Sequence, residues 1–590
     1  MARFPLSLLL AGTFASGVAA PGFAQQSVYM GAPAQVGRAV NGALINQAEL
    51  DNARLVKHQD VKPYQLAPGV WVLPGPSLNA AVIEGPDGLI VWETGENLAQ
   101  GREYRDAIRE ISSKPIRAVI YSHAHYTKGT RAIIEGERDV LIIGHPKLNE
   151  NAQIGGLGSD YPETDPIQRA RAYQHAQFLL PAQGSDAKTG FVVQPGEDGF
   201  VPVNRPVADG EELVVAGVRL RFLTRGGSDT DDCISVWLPE RKVALNNIIW
   251  PWMPNFYTPR GAKFRDPRVW DAAVQELMAL QPEYLINQHG RSISGKSEVQ
   301  RTLADYDDFI NLVLDQSLRG MLQGKGPEDL RDFIKLPRRL AEDPWLFQSY
   351  GQLEWYAPYI MEHALGWWDG DAATLVKLPP QDIAQRLVPL LGGRDKLVAE
   401  VRKAQTSGEL AWALELLNYQ FRLTPDDAEL KQLKADLLRR SAQVSTASIT
   451  RAFMLSQALA LEGKVKLPRL VPPSVQQIGA DPARFVNELR VRVDPIKAQD
   501  TDLLMRFDFT DGGHPSVALH VRGGVAHFID RPAAYAGRAD YALTLDGASY
   551  AALFLNRQSL AELLESGKVR LAGDQAGAAA FLALFDPFAV

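Results

Sequence analysis

The segment that most restricts how this chain can fold is Ala118-Val119-Ile120-Tyr121, four consecutive apolar residues running straight into Ser122-His123-Ala124-His125. A strand without polar alternation is buried on both faces, so it belongs inside a sheet covered on either side. The surrounding sequence agrees. Ala80 to Gly85 and Gly88 to Trp92 read as paired strands across a Pro86-Asp87-Gly88 turn. The segment Gln100 to Ser112 then places Tyr104, Ala107, Ile108 and Ile111 on one helical face. Further strands are expected at 139–143, 212–223 and 233–238. This β-β-α-β order predicts an α/β layered domain.

The chain has 590 residues, too many for one hydrophobic core, and its length calls for roughly three to four domains. Beyond about residue 300 the pattern turns helical. The run Ala411 to Asn418, a Thr424-Pro425-Asp426-Asp427 break and the run Ala428 to Leu438 predict an antiparallel helix pair. Pro468, Pro472 and Pro473 mark a linker, and the alternating strands and helices after it predict a compact α+β tail with its own core. Residues 25–60 are polar and Gly/Ala-rich and read as an extended lead-in.

Met1-Ala2-Arg3, the apolar run Leu6 to Val18 and small residues up to Ala24 form a signal-peptide pattern, with the apolar run too short for a membrane span. A periplasmic or secreted protein without an integral membrane segment is expected. A net charge of −7 offers no basic footprint for nucleic acid. Cys233 is the single cysteine, which rules out an intrachain disulfide. It reads as a buried structural thiol, with a ligand role beside Asp231 and Asp232 as the alternative.

The chemistry-bearing segment lies just past the buried strand. His123 and His125, two apart in extended or looped backbone, can turn their rings to one side and grip one metal ion. Three later segments also follow strand-like runs. They are the loop Thr224 to Asp232 with its carboxylates, Asn246-Asn247, and Asn287-Gln288-His289-Gly290. In an α/β sheet such strand ends share one rim, where ligands sit.

In order, these segments resemble the alkyl sulfatase branch of the metallo-β-lactamase superfamily. The resemblance rests on Gly69-Val70-Trp71 with Ser77-Leu78-Asn79, the 118–125 segment and Phe178-Leu179-Leu180-Pro181. It extends through the run Thr258 to Asp266, Gly366-Trp367-Trp368-Asp369-Gly370, Leu378-Pro379-Pro380 and the run Gly567 to Asp574. After the signal peptide expected at 1–24, it implies a metallo-β-lactamase αββα sandwich at 25–380, an α-helical dimerisation domain at 381–466 and a sterol-carrier-like α+β domain at 467–590. It further implies a homodimer and a hydrolase acting on alkyl sulfates or related amphiphilic anionic esters.

Family members use two zinc ions. Carried over, one site takes His123, His125 and Asp229, the last where the family has Glu. For the second site only His289 remains: Thr127 and Lys128 replace an Asp and a His, and Asn247 replaces the bridging acid. The resemblance therefore implies one Zn²⁺ per chain or none, with Lys128 standing in electrostatically for the second cation and the alternative that it points to solvent. Arg260 matches the family's sulfate-binding position, or else pairs with Asp266 at the surface. Tyr126 and Tyr173 are candidate donors to the leaving oxygen. Two other readings stay open: a non-catalytic binder of amphiphiles, and a hydrolase of a phosphoester, carboxylic ester or lactam.

Overall fold

The structure, a computed structural model, describes residues 27–587 apart from 76, 154–158 and 532–537. The expected signal peptide lies outside the described residues. Where an extended lead-in was expected, residues Val36–Arg38 and Leu44–Asn46 pair as antiparallel strands, followed by the helix Gln47–Val56. The side chain of Asn46 caps that helix by accepting from the Ala48 amide at 2.9 Å. Ala43, Ile45 and Val56 are buried, and the buried Arg451 donates to the Leu44 carbonyl. Sparse apolar residues, each docked on another part of the chain, order a segment whose composition alone reads as loop.

The first domain is a sandwich of a seven-stranded and a six-stranded sheet, counted among the described residues. In the larger sheet, Tyr64–Ala67, Val70–Pro74, Asn79–Gly85 and Gly88–Trp92 form an antiparallel meander. Ile116–Ile120, Leu141–Gly144 and Arg205–Pro206 then add in parallel. Ile116–Ile120 is thus an interior strand with parallel neighbours on both sides, as its unbroken apolar run requires. In the smaller sheet Val218–Leu223, Ser235–Leu238 and Val243–Asn246 run antiparallel, and Tyr284–Asn287 lies parallel to Val243–Asn246. The expected strand at 212–223 is two strands, Glu212–Val215 and Val218–Leu223, turned at Ala216 and Gly217, both with positive φ.

Side chains alternate across each sheet. Ile90, Trp92, Ala118 and Ile120 meet Phe222, Val236, Val243 and Ile286 between the sheets. On the outer face of the larger sheet, Val91, Val119 and Tyr121 pack against Tyr104 and Ile108 of the helix Leu98–Ile111. On the outer face of the smaller sheet, Ala244 and Leu285 pack under Trp270 and Val274 of Pro267–Leu280 and Tyr306 and Phe309 of Lys296–Leu322. These four layers are the expected αββα sandwich.

The helical region follows, with the expected pair at Leu410–Leu423 and Ala428–Val444. The C-terminal part is a five-stranded sheet with helices on a separate core built on Met505, Phe507, Leu543 and Tyr550. Among the described residues no helix is long and apolar enough to cross a membrane.

Candidate active site

Four strands end at one rim. Ile116–Ile120 leads into His123, Val218–Leu223 into Asp229, Val243–Asn246 into Asn247, and Tyr284–Asn287 into His289. Parallel pairing of Asn246 with Asn287 puts the last two exits side by side. Past the first strand the backbone is extended at His123 and then makes a 3₁₀ turn over Ala124–Tyr126. Gly129 anchors the end of this loop against Thr94 and Gly101 so closely that a Cβ on it would lie 1.9 Å from the Thr94 carbonyl oxygen. Only glycine fits there.

His123, His125 and Asp229 form one cluster. His123 Nε2 lies 3.0 Å from His125 Nδ1 and 3.8 Å from Asp229 Oδ1, and His125 Nδ1 lies 3.1 Å from Asp229 Oδ2. Bonds of about 2.0–2.1 Å to a tetrahedral ion separate its ligands by about 3.4 Å, so the spacing fits. The charge state fits as well. Burial pushes the His123 imidazole down to about 3, against the pull of Asp229, so the ring is neutral at pH 7. Burial works to raise the Asp229 carboxyl, yet His123 and His125 beside it hold it well below the usual range. The neutral imidazole and the ionised carboxylate are the forms a cation binds.

A second layer orients His123. Its Nδ1 lies 2.8 Å from the Ser122 hydroxyl, which accepts from Gln288 Nε2 at 3.0 Å. Glu93, fully buried and in the left-handed region at φ 63°, accepts from the Ser122 amide at 2.5 Å. Burial raises its carboxyl to about 8.

Around the place of a second metal ion, the described residues offer few lone pairs. Trp250 Nε1 donates to Asn247 Oδ1 at 3.0 Å, which turns the amide nitrogen inward to donate to Asp229 Oδ1 at 3.1 Å. The position thus presents hydrogens, not a lone pair. Thr127 hydroxyl donates to the Ala124 carbonyl. His289 Nδ1 lies 2.7 Å from the Ser77 carbonyl, which only accepts, so its proton sits on Nδ1. The remaining lone pair on Nε2 faces the Tyr126 hydroxyl at 3.4 Å. Tyr126 itself is buried edge-on against His123 and His289.

Two expected residues stand elsewhere. Lys128 does not replace a cation beside His289; its ammonium faces Asp198 at 3.7 Å and its side chain is 40% exposed. The reason is in the backbone, where the Lys128 amide donates to Gly95 and its carbonyl accepts from Gly199, aiming the side chain at the 196–200 segment. Tyr173 is exposed against Phe178. Two residues later on the same helix, His175 is buried, and sequence reasoning passed over it.

Arg260 is buried at 7% exposure and, among the described residues, donates only to the neighbouring Gly261 carbonyl. Asp266 pairs with Arg268 instead. Burial, with repulsion from Arg265, lowers the Arg260 guanidinium. Arg265, equally buried, donates to the Asn255 carbonyl and has a buried Nε without a partner among the described residues. Neither arginine has a carboxylate within ion-pair distance among the described residues. Beside them Thr258 has an unpartnered buried hydroxyl. A cavity of about 580 Å³, walled by Arg265, Phe264, Val269 and His363, opens onto Asp229. Cys233 is buried, its thiol pushed up to about 12 by burial, next to Ser228 of the cavity wall.

An αββα sandwich with a His-x-His and a carboxylate converging at the strand ends defines a hydrolase-type metal centre of the metallo-β-lactamase superfamily, whose family model matches residues 74–126. Models for alkyl sulfatase dimerisation and for the alkyl sulfatase C-terminal region match residues 326–464 and 479–590. A linear primary-alkylsulfatase of a Pseudomonas species is 32% identical over 533 residues, covering 86% of this chain and 98% of the relative. An (R)-specific secondary-alkylsulfatase of Pseudomonas sp. is 27% identical, covering 93% and 83%. The solved stereoselective inverting sec-alkylsulfatase Pisa1 of Pseudomonas sp. superposes with a TM-score of 0.77 at 24% identity, covering 93% of this chain and 88% of that one. The chain belongs to the alkylsulfatase family, and it is a hydrolase.

Proposed function

We propose that this enzyme hydrolyses the sulfate ester of an amphiphilic alkyl alcohol, using one zinc ion per chain held by His123, His125 and Asp229. The observation that carries the reading is a buried Arg260 without a carboxylate partner, in the electrostatic field of the ligand Asp229. A guanidinium fork suits a tetrahedral oxyanion and holds it in one orientation. When bound, the zinc supplies a Lewis acid and lowers the pKa of water toward about 7. The protein contributes the rest. Glu93, Ser122 and Gln288 keep His123 in the right tautomer and orientation. Asn247, locked by Trp250, holds Asp229 by a hydrogen bond in place of a second cation. Tyr126 and His289, with Trp250 and Trp252 around them, wall the site against water.

The apolar and aromatic wall at Phe264 and Val269 suits the alkyl part of such an ester. The relatives' names, primary and secondary alkylsulfatase, support the substrate class. A homodimer through the helical region is supported by the dimerisation family model there. Secretion is proposed from the N-terminal pattern alone, and an amphiphile-binding role for the C-terminal domain from its likeness to a sterol carrier.

The test is metal analysis of purified enzyme together with turnover of a long-chain alkyl sulfate. One zinc per chain and turnover that falls at least a hundredfold in Arg260→Ala are expected. Two zinc ions per chain in this pocket overturn the metal assignment, and an Arg260→Ala enzyme with unchanged kcat/KM overturns the sulfate assignment.

A further inference from the structure

Beside Arg260 lies a pair, His175 buried and Tyr350 partly buried, that neither the metal ligands nor the arginine explains. His175, on the helix Asp165–His175, places Nε2 2.8 Å from the hydroxyl of Tyr350. Tyr350 stacks on Trp252 with ring centroids 4.9 Å apart and meets Phe191 edge-on, which fixes the ring. Among the described residues, His175 Nδ1 is buried and has no partner. Among the described residues the Tyr350 hydroxyl has no partner besides His175.

A proton count shows what is missing. Burial, and then the charges of Arg260 and Arg265, hold the His175 imidazole neutral. A neutral imidazole and a phenol carry one N–H and one O–H between them, and a single hydrogen bond joins the two groups. In either tautomer one donor is left without an acceptor among the described residues. With the proton on Nδ1, that donor is a fixed N–H that meets no acceptor among the described residues. With the proton on Nε2, the imidazole donates to the Tyr350 oxygen, and the leftover donor is the phenol hydrogen, free to rotate about its C–O bond. Buried polar groups without partners are costly, and native structures leave few of them. Here the leftover is a donor beside two guanidinium groups that also lack a carboxylate. An anionic oxygen satisfies all three.

We infer that His175 is a positioning residue for substrate: its Nε2–H engages the Tyr350 oxygen so that the Tyr350 hydroxyl donates to the tetrahedral oxyanion gripped by Arg260. This rests on the sulfate-ester reading and adds how the head group is oriented. Two donors from different directions hold two terminal oxygens and leave the ester oxygen turned toward the His123–His125–Asp229 cluster.

The test is calorimetric binding of inorganic sulfate and inorganic phosphate to the zinc-loaded enzyme, with KM and kcat on a long-chain alkyl sulfate measured in parallel. The variants are Tyr350→Phe, His175→Phe, their double variant, and His175→Gln, whose side-chain amide can still donate. Loss of one hydrogen bond to a charged group weakens sulfate binding about tenfold or more. Tyr350→Phe and His175→Phe are expected to lose that factor, with the double variant no worse than either. His175→Gln recovers most of it, and KM moves more than kcat. Losses that multiply in the double variant, or sulfate binding within twofold of wild type in Tyr350→Phe, overturn the inference. If Arg260→Ala abolishes sulfate binding while these variants do not, the sulfate-ester reading stands and only this pair is misassigned. If wild type binds phosphate and not sulfate, the sulfate-ester reading itself fails. Circular dichroism and the melting temperature of His175→Gln check that the fold is intact.

Discussion

Replacing Asn247 by Asp tests the charge logic of the metal centre directly. In the wild type the Asn247 amide nitrogen lies 3.1 Å from Asp229 Oδ1 and donates to it. An aspartate there keeps the acceptor for Trp250 Nε1 but sets a second carboxylate oxygen about as far from Asp229 as the nitrogen was. Two unit charges at that separation repel by ~5 kcal/mol at an effective dielectric of 20, equivalent to about four pKa units. The metal-free pair therefore shares one proton at pH 7, as close carboxylate pairs do. Zinc must displace that proton. In the wild type, Asp229 is already ionised and His123 already neutral, so neither gives one up. Calorimetric zinc titration at pH 7 in two buffers of different ionisation enthalpy measures the difference. Asn247→Asp is expected to release about one proton more than wild type. Equal proton release by the two proteins refutes the reasoning, because it means that Asp229 and residue 247 are not electrostatically coupled.

Three further outcomes are expected. His123→Ala removes a proposed zinc ligand that is 1% exposed, and is expected to abolish zinc retention through dialysis and to cut kcat/KM at least a hundredfold. In Glu93→Gln, the group whose folded pKa is raised to about 8 from an ordinary 4.5 no longer titrates. Wild type loses stability from this group as pH rises from about 4.5 to 8, so chelator-treated Glu93→Gln is expected to gain up to ~3 kcal/mol on it at pH 7 and little at pH 4.5. Denaturant unfolding at several pH values reads this, and a gap that does not grow with pH counts against it. Lys128→Ala breaks a half-exposed ion pair with Asp198 and is expected to leave zinc content and kcat/KM within about twofold of wild type. A large loss of kcat/KM would return Lys128 to the reacting centre.

The strand that opens the metal loop was legible because its signal is local. Four apolar residues in a row need burial on both faces whatever surrounds them, and Ile116–Ile120 lies between two parallel neighbours accordingly. The His-x-His pair was legible for the same reason: spacing within one loop sets which rings can meet. The segment 25–60 was not legible, since its order comes from contacts such as that of Arg451 with Leu44, 407 residues apart. Tyr173 and His175 show the same limit within one helix. Two residues apart, they point to different sides, and only the neighbouring 350 segment decides which side is the pocket.

By itself, the sequence determined much of the strand order and the presence of a His-x-His pair with a carboxylate-bearing loop, while its resemblance to the alkyl sulfatases marked Thr127, Lys128 and Asn247 as departures from the family pattern. Hydrophobic periodicity and residue type are properties of short stretches, so they survive without coordinates. Tertiary structure alone decided where those groups point. Trp250 turns the Asn247 amide toward Asp229, Gly95 and Gly199 turn Lys128 toward Asp198, and Tyr350 meets His175 from 175 residues away. A side chain's direction is set by which donors and acceptors the fold brings within about 3 Å of it, and those partners are distant in the chain.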